Sequence, residues 1–427
     1  MTSGIDRRGF FSTTAASAAG AWALANSAAW GDEAPSRKVV VGVMGMSRGK
    51  HLATVFAKQP GVEVKYVCDV DSKRVEEGVA AVEKAGGKRP TGIGEFQKIL
   101  DDKEVDALVC AAPNHWHAPA TILGVSAGKH VYVEKPCSHN AQEGEWMIAA
   151  ARKHKKAVQM GSQRRSGPQY IAGIQLIRDG AIGRAYAARA HYTNARPTIG
   201  HGVPADVPAN LNYDLWQGPA PRTPYLSNRI HYNWHWFWQY GNGELGNNGI
   251  HSLDVCRWAL GADYPIAVTS SGGRYQFQDD QETPDTHTVC FEFPDRKQIT
   301  WIGSSCNKHS QPFVEIFGES GTLVFGGSGE LTLYDANDKV VRQEKGSQGE
   351  TEHIANFVSA IRDDKPLACN AEILEGYKST LLCHLGNISY RVGRSLKCDP
   401  QNGHVVNDEQ ATALWGRQYE SGWEPKV

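Results

Sequence analysis

Two opposite charges and a proline at the end of a β-branched run mark the first place where this chain could do chemistry. In the stretch 127–136, AGKHVYVEKP, the apolar residues Val131 to Val133 suit a buried parallel strand. Ligands of open α/β sheets bind outside the carboxyl ends of their strands, which is where Glu134 and Lys135 fall. A lysine in such a crevice becomes a usable base once burial or positive neighbours lower its pKa. Pro136 stops the ladder and permits a cis bond, which would hold Lys135 in one direction. A surface ion pair is the competing reading of the same residues. A second candidate follows the glycine-rich stretch 243–249: His251 and Asp254 stand three apart and share one helical face, as chemistry or as packing.

Strands and turns upstream would bring further groups to the same crevice. Residues 38–44 suit a buried first strand, followed by Gly45-Met46-Ser47-Arg48-Gly49-Lys50 and a helical run through residue 58. A helix N-terminus after a glycine turn attracts phosphate, although Ser47 stands at the second glycine position of G-x-G-x-x-G. Arg48 could add a cation to the phosphates. A second strand, 62–68, ends at Asp69, where a carboxylate can accept from an adenosine ribose; this favours NAD, while Ser72, Lys73 and Arg74 leave room for NADP. A strand at 107–112 ends in Pro113-Asn114-His115-Trp116-His117, a turn facing the same crevice before a helix expected from about residue 119. The two histidines raise a metal reading, but no neighbouring carboxylate or thiolate completes a ligand set, so no metal is expected. Arg164, again at a strand end, is placed to hold a cofactor or close the crevice.

From residue 184 the pattern changes to longer alternating strands, at 187–192, 268–277, 286–293, 298–304, 313–317 and 331–334, which would form a second sheet. Between the first two lies an insert rich in aromatic and imidazole side chains, from Trp216 to Tyr240. Ring faces rimmed by Asn, His and Tyr suit a sugar, so His231, Tyr232 and Trp238 are candidate substrate contacts, with a satellite core or a subunit interface as the alternative. Two late helices, at 350–362 and 371–391, and a polar tail with Trp415 and Trp423 would brace the whole.

AGKHVYVEKP preceded by Pro113-Asn114-His115-Trp116-His117 resembles the glucose-fructose oxidoreductase/inositol dehydrogenase/rhizopine catabolism (Gfo/Idh/MocA) family, a likeness that runs from about residue 38 to the C-terminus. The resemblance implies a nicotinamide-binding domain, a second domain on an open sheet, and Lys135 beside the nicotinamide and the reacting sugar carbon. It places Pro113, Asn114, His117 and Glu134 around the cofactor. It also pairs His251 with Lys135 as the catalytic couple. Asn247 occupies a position where family members often carry aspartate; an amide can orient a hydroxyl but cannot take its proton.

The resulting expectation is an α/β chain: a doubly wound parallel Rossmann sheet over 38–180, an α/β domain with an open, largely antiparallel sheet over 181–395, and a tail, 396–427, packed on both. The length of 427 residues, with 41% hydrophobic residues, suffices for two cores. A formal net charge of −1 offers no field to collect nucleic acid or anionic lipid. Nine cysteines without CxxC spacing read as small core residues. Residues 1–30, with Arg7-Arg8, Phe10 and Phe11 ahead of an Ala/Gly-rich run, resemble a twin-arginine export signal and not a stable membrane span, which would place the protein in the periplasm or otherwise outside the cytoplasm. The expected reaction is NAD(P)-dependent hydride transfer at a ring or anomeric carbon of a sugar, cyclitol or glycoside, in a homodimer or homotetramer. An exported enzyme would retain its cofactor and reset it in place. Redox-neutral glycoside cleavage or epimerisation, and a sugar sensor without turnover, are the alternatives.

Overall fold

A computed structural model describes residues 37–427; the twin-arginine-like segment lies outside the described residues. Six short strands form the first sheet: β1 (Val39–Met44), β2 (Val62–Cys68), β3 (Thr91–Ile93), β4 (Ala107–Cys110), β5 (His130–Val133) and β6 (Val158–Met160), in the order β3-β2-β1-β4-β5-β6. Every pairing is parallel. Both faces are covered, so β4 is buried at all four positions and β1 at five of six, which is why these strands read as apolar runs without alternation.

The helix after β4 begins at Asn114, five residues before the proline expected to open it, and spans Asn114–Ser126. Pro119 lacks the N–H that would bond the His115 carbonyl, and Arg417 Nη2 donates to that carbonyl instead, at 2.7 Å. A distant tail residue thus stands in for the missing helical bond.

The second sheet comprises β7 (Ala185–Ala195), β8 (Ala267–Gly273), β9 (Thr286–Phe293), β10 (Lys297–Ser304), β11 (Cys306–Asn307), β12 (Val314–Gly318), β13 (Gly321–Phe325), β14 (Leu331–Asp335), β15 (Val340–Glu344) and β16 (Leu396–Lys397). Its order is β15-β14-β13-β12-β7-β10-β9-β8-β16, with β11 alongside β7. The sheet is mixed: β7 and β10 run parallel at its centre, and all other neighbours are antiparallel. Alternation is clean where one face alone is covered. In β9 the buried positions His287, Val289, Phe291 and Phe293 alternate with more exposed ones.

Residues Val39–Val427 make one compact unit, and its packing crosses between the sheets. Helix Glu350–Arg362 lays Ile354, Phe357, Val358 and Ile361 against Val39, Val41 and Val43 of β1. Helix Ile373–Val392 packs on helix Ala141–His154 and on β8. No described helix is long and apolar enough to cross a membrane.

The aromatic insert between β7 and β8 folds back onto the carboxyl end of β2. There Asn210 Nδ2 donates to Asp71 Oδ1 at 2.8 Å, Ser72 N to the Asn210 carbonyl at 2.9 Å, and Asn212 N to the Val70 carbonyl at 2.8 Å.

Candidate active site

A cavity of about 520 Å³ lies at the carboxyl ends of β1, β2, β4 and β5, roofed by the insert. At its phosphate end Gly45 has φ +89°, a conformation that favours glycine, and a Cβ there would stand 2.6 Å from the Ala111 main chain. Helix Arg48–Ala57 begins next, with no side-chain cap and no acidic residue in its first turn, and Gly45, Ser47 and Arg48 at its start line the cavity. Asp69 accepts from Met46 N at 2.6 Å and from Asp71 N at 2.9 Å. Burial pushes its carboxyl above the ordinary value despite those two bonds.

Lys135 lies at the other end, beyond β5, and the Lys135–Pro136 peptide is cis. Its Nζ donates to the Asn247 carbonyl at 2.6 Å and to Asn247 Oδ1 at 3.3 Å, both on the π-helical turn Leu245–Gly249. Burial pulls its pKa down against the opposing charges of Glu134 and Glu244. His251, in helix Ile250–Leu260, lines the same cavity. Burial first, then the charges of Lys135, Arg164 and Arg48, hold it well below the usual imidazole range, so it is neutral.

Gly45, Ser47, Arg48, Asp69, Pro113, Asn114, His117, Glu134, Lys135, Arg164, His231, Tyr232, Asn247 and His251 all line this one cavity. Several stand there differently than expected. Arg48 Nε pairs with Glu134 Oε1 at 3.2 Å and its Nη2 with Glu350, so its charge is already matched within the protein. His117 sets its two ring nitrogens against the Pro136 carbonyl at 2.6 Å and the Ala112 carbonyl at 2.8 Å, which makes it a brace between two strand-end turns. Arg164 rests on the Phe313 ring at 4.4 Å and donates to Tyr170 Oη at 3.1 Å.

His231 stands at the β2 end of the cavity. Its Nε2 is 3.0 Å from Asp71 Oδ2, with Asp69 and Arg74 nearby. Two expected substrate contacts lie outside the cavity. Asp254 is fully buried and accepts from Arg165 Nη2 at 2.8 Å, Ser162 Oγ at 2.7 Å and Ser379 Oγ at 2.6 Å, partners that occupy its carboxylate away from the cavity. Trp238 flanks a separate cleft, with Arg391 over its ring at 5.2 Å. Sequence reasoning passed over Gln348, which reaches the cavity from the loop before helix Glu350–Arg362, and His235, one of many rings in the insert. No local pattern marks Gln348; His235 carried the signal of a polar ring among tryptophans.

No group of three His, Cys, Asp or Glu among the described residues is arranged to hold a metal. All nine cysteines are free thiols.

A model for the oxidoreductase-family NAD-binding Rossmann fold matches residues 36–162, and one for the same family's C-terminal alpha/beta domain matches residues 199–425. The chain belongs to the Gfo/Idh/MocA oxidoreductase family. NAD is therefore the cofactor of this Rossmann sheet, and the residues fit it: the uncapped helix start suits a pyrophosphate, Asp69 suits a ribose, and the buried Asn114 Oδ1, which has no partner, is an acceptor left for a ligand donor. Among curated Gfo/Idh/MocA relatives, the inositol 2-dehydrogenase of Salmonella typhimurium is 28% identical over 226 residues, 53% of this chain and 54% of that protein. The alpha-N-acetylgalactosaminidase of Shewanella oneidensis is 28% identical over 165 residues, 37% of this chain and 36% of that protein. The chain thus spans about half the length of the inositol relative and about a third of the second. Of solved structures, levoglucosan dehydrogenase in complex with NADH and levoglucosan superposes with a TM-score of 0.65 at 20% identity, covering 84% of this chain and 99% of that one. The WlbA dehydrogenase of Bordetella pertussis gives 0.65 at 19% identity over 86% and 99%. At such identities the structures support the shared fold.

Proposed function

We propose that this protein uses NAD to oxidise a ring hydroxyl of a sugar or cyclitol, with Lys135 as the group that takes the hydroxyl proton. The observation that carries the reading is the placement of Lys135 Nζ, anchored on Asn247 inside the cavity that also holds the cofactor-binding turns. Bound NAD would supply the carbon that accepts the hydride. Everything else falls to the chain. Burial makes the lysine easier to deprotonate, while the Asn247 carbonyl and amide oxygens keep its Nζ aimed at one spot. His251 is neutral and can accept a hydrogen bond from the same hydroxyl or relay its proton. Asn247 orients without exchanging a proton. A sugar or cyclitol is supported by the names of the relatives and by the ring-rich roof.

The roof also supports a cofactor that stays in place between turnovers, and the N-terminal segment supports export; a homodimer or homotetramer completes the proposal. Incubation with a panel of inositols, hexoses and their methyl glycosides, monitored by absorbance of reduced nicotinamide, tests the activity. Lys135→Ala should lose about 10²- to 10⁴-fold in rate while keeping its fold; full activity in that variant overturns the assignment. Protein purified and desalted without added nucleotide should release about one equivalent of NAD(H) on denaturation.

Likeness to an alpha-N-acetylgalactosaminidase favours a second reading, a redox-neutral cycle in which a glycoside is cleaved or epimerised with no net change in the cofactor. Cleavage of a glycoside without accumulation of reduced nicotinamide would select it.

A further inference from the structure

His235 sits in the cavity wall on the insert side of Lys135. Its ring is fixed twice. It stacks on Trp234 with centroids 3.6 Å apart, and Nδ1 is 2.6 Å from the Tyr232 carbonyl. A carbonyl only accepts, so Nδ1 must carry the hydrogen. Burial, with Lys135, Arg196 and His117 as further positive influences, holds the ring's pKa at about 3, and the imidazole is therefore neutral at ordinary pH. A neutral imidazole protonated at Nδ1 presents a bare lone pair at Nε2. No protein donor meets that atom among the described residues, and it is not sealed away as a buried orphan. Lys135, His235 and His251 line the same cavity, and both imidazoles are uncharged there.

A single hydroxyl proton needs one acceptor, and the Lys135–His251 pair provides it. We propose that His235 determines specificity: its Nε2 accepts a hydrogen bond from a second substrate hydroxyl, on a carbon neighbouring the one that reacts, so that the enzyme takes vicinal diols of sugars or cyclitols. The inference rests on the reading that Lys135 faces a polyol. A site built around a rigid acceptor discriminates against a substrate lacking the matching donor, because the acceptor is then left unpaired.

The test uses the NAD-loaded full chain with myo-inositol, D-glucose and methyl α-D-glucoside, each beside its singly deoxygenated analogues. His235→Phe keeps the stack on Trp234 but removes the acceptor, and should lower kcat/KM about 10- to 100-fold for the full polyol. One deoxygenated analogue should suffer a comparable loss with wild type and no further loss with the variant. His235→Gln, whose side-chain oxygen can accept, should recover part of the rate. Nitrogen NMR at pH 7 should show His235 Nε2 unprotonated, and saturating polyol, but not the critical deoxygenated analogue, should shift it. A protonated Nε2, full turnover in His235→Phe, or an analogue penalty undiminished in that variant overturns the proposal. If no polyol reduces NAD with wild type although Nε2 is bare, the reading of Lys135 fails instead.

Discussion

Asn210→Ala should speed the release of bound nicotinamide cofactor. The insert reaches the nucleotide end of the cavity by leaning on Asp71, and Asn210 Nδ2 supplies a hydrogen bond of 2.8 Å to that carboxylate. Burial opposes ionisation of Asp71, but bonds from Asn210 and Lys73 N, with His231 alongside, outweigh it and hold the carboxyl below its usual pKa. The bond is thus charge-assisted, worth about 1.5–3 kcal/mol. The main-chain ties at Ser72 and Val70, and the bond from Lys73 N that caps helix Ser72–Lys84, survive the substitution. If the adenosine end leaves only when the roof lifts, opening becomes about 10- to 100-fold more frequent, and release accelerates by the same factor. The assay is stopped-flow: protein loaded with NADH is mixed with excess NAD+, and energy transfer from Trp216 and Trp234, both on the cavity wall, is followed as it decays. A release rate within about twofold of wild type, with an unchanged thermal midpoint, would refute gating by the insert.

Two further outcomes separate chemistry from architecture. If Lys135 takes the hydroxyl proton it must start neutral, so kcat/KM should rise with pH towards a plateau set by a lysine below the ordinary value; Glu134→Gln removes a carboxylate that raises that pKa and leaves Arg48 less screened, so the rising limb should move to lower pH. A limb that stays in place, or moves up, contradicts the role given to Lys135. Asp254→Asn breaks a fully buried pair with Arg165 and should cost about 3–5 kcal/mol in urea unfolding while leaving NAD affinity unaltered. Arg165 holds the Asp254 carboxyl below its usual pKa against the effect of burial, so this stability is present above the unfolded-state value and is lost as pH falls through the folded one; the variant should lack that acid-side loss.

The strand ends of the first sheet were legible because each is a short apolar run stopped by a polar turn, as at Asp69, Pro113 and Glu134. β2 begins and ends at the residues expected, and β5 starts one earlier. The helix at Asn114 was misread because the rule that proline opens helices is local, whereas the substitute for the lost bond comes from Arg417, some 300 residues away. Asp254 misled for a related reason. Spacing shows that it shares a face with His251, but not that Arg165 waits behind it. In the insert, composition announced a ring-rich wall, yet which rings meet the cavity depends on where the segment docks. Asp71 draws His231 to the nucleotide end, whereas Trp238 falls beyond the rim. β3, β11, β13, β15 and β16 escaped notice: β3 is a three-residue edge strand, β13 continues a hairpin across two residues, β15 is an exposed edge, and β11 and β16 have two residues each.

The cover that helix Glu350–Arg362 provides for β1 also sets a schedule for biosynthesis. The last strand of the first sheet ends at Met160, and the helix that covers β1 starts at Glu350, 190 residues later. At roughly 5–20 residues per second, a ribosome needs on the order of 10–40 s to cross that gap. During that interval the growing chain holds six strands' worth of sequence whose partner for Val39, Val41 and Val43 has not yet been made. Arg48 meanwhile lacks Glu350, so the mouth of the nucleotide site is unfinished as well. A nascent chain arrested before the helix emerges should therefore recruit holding chaperones and fail to capture NAD, however complete its glycine turn.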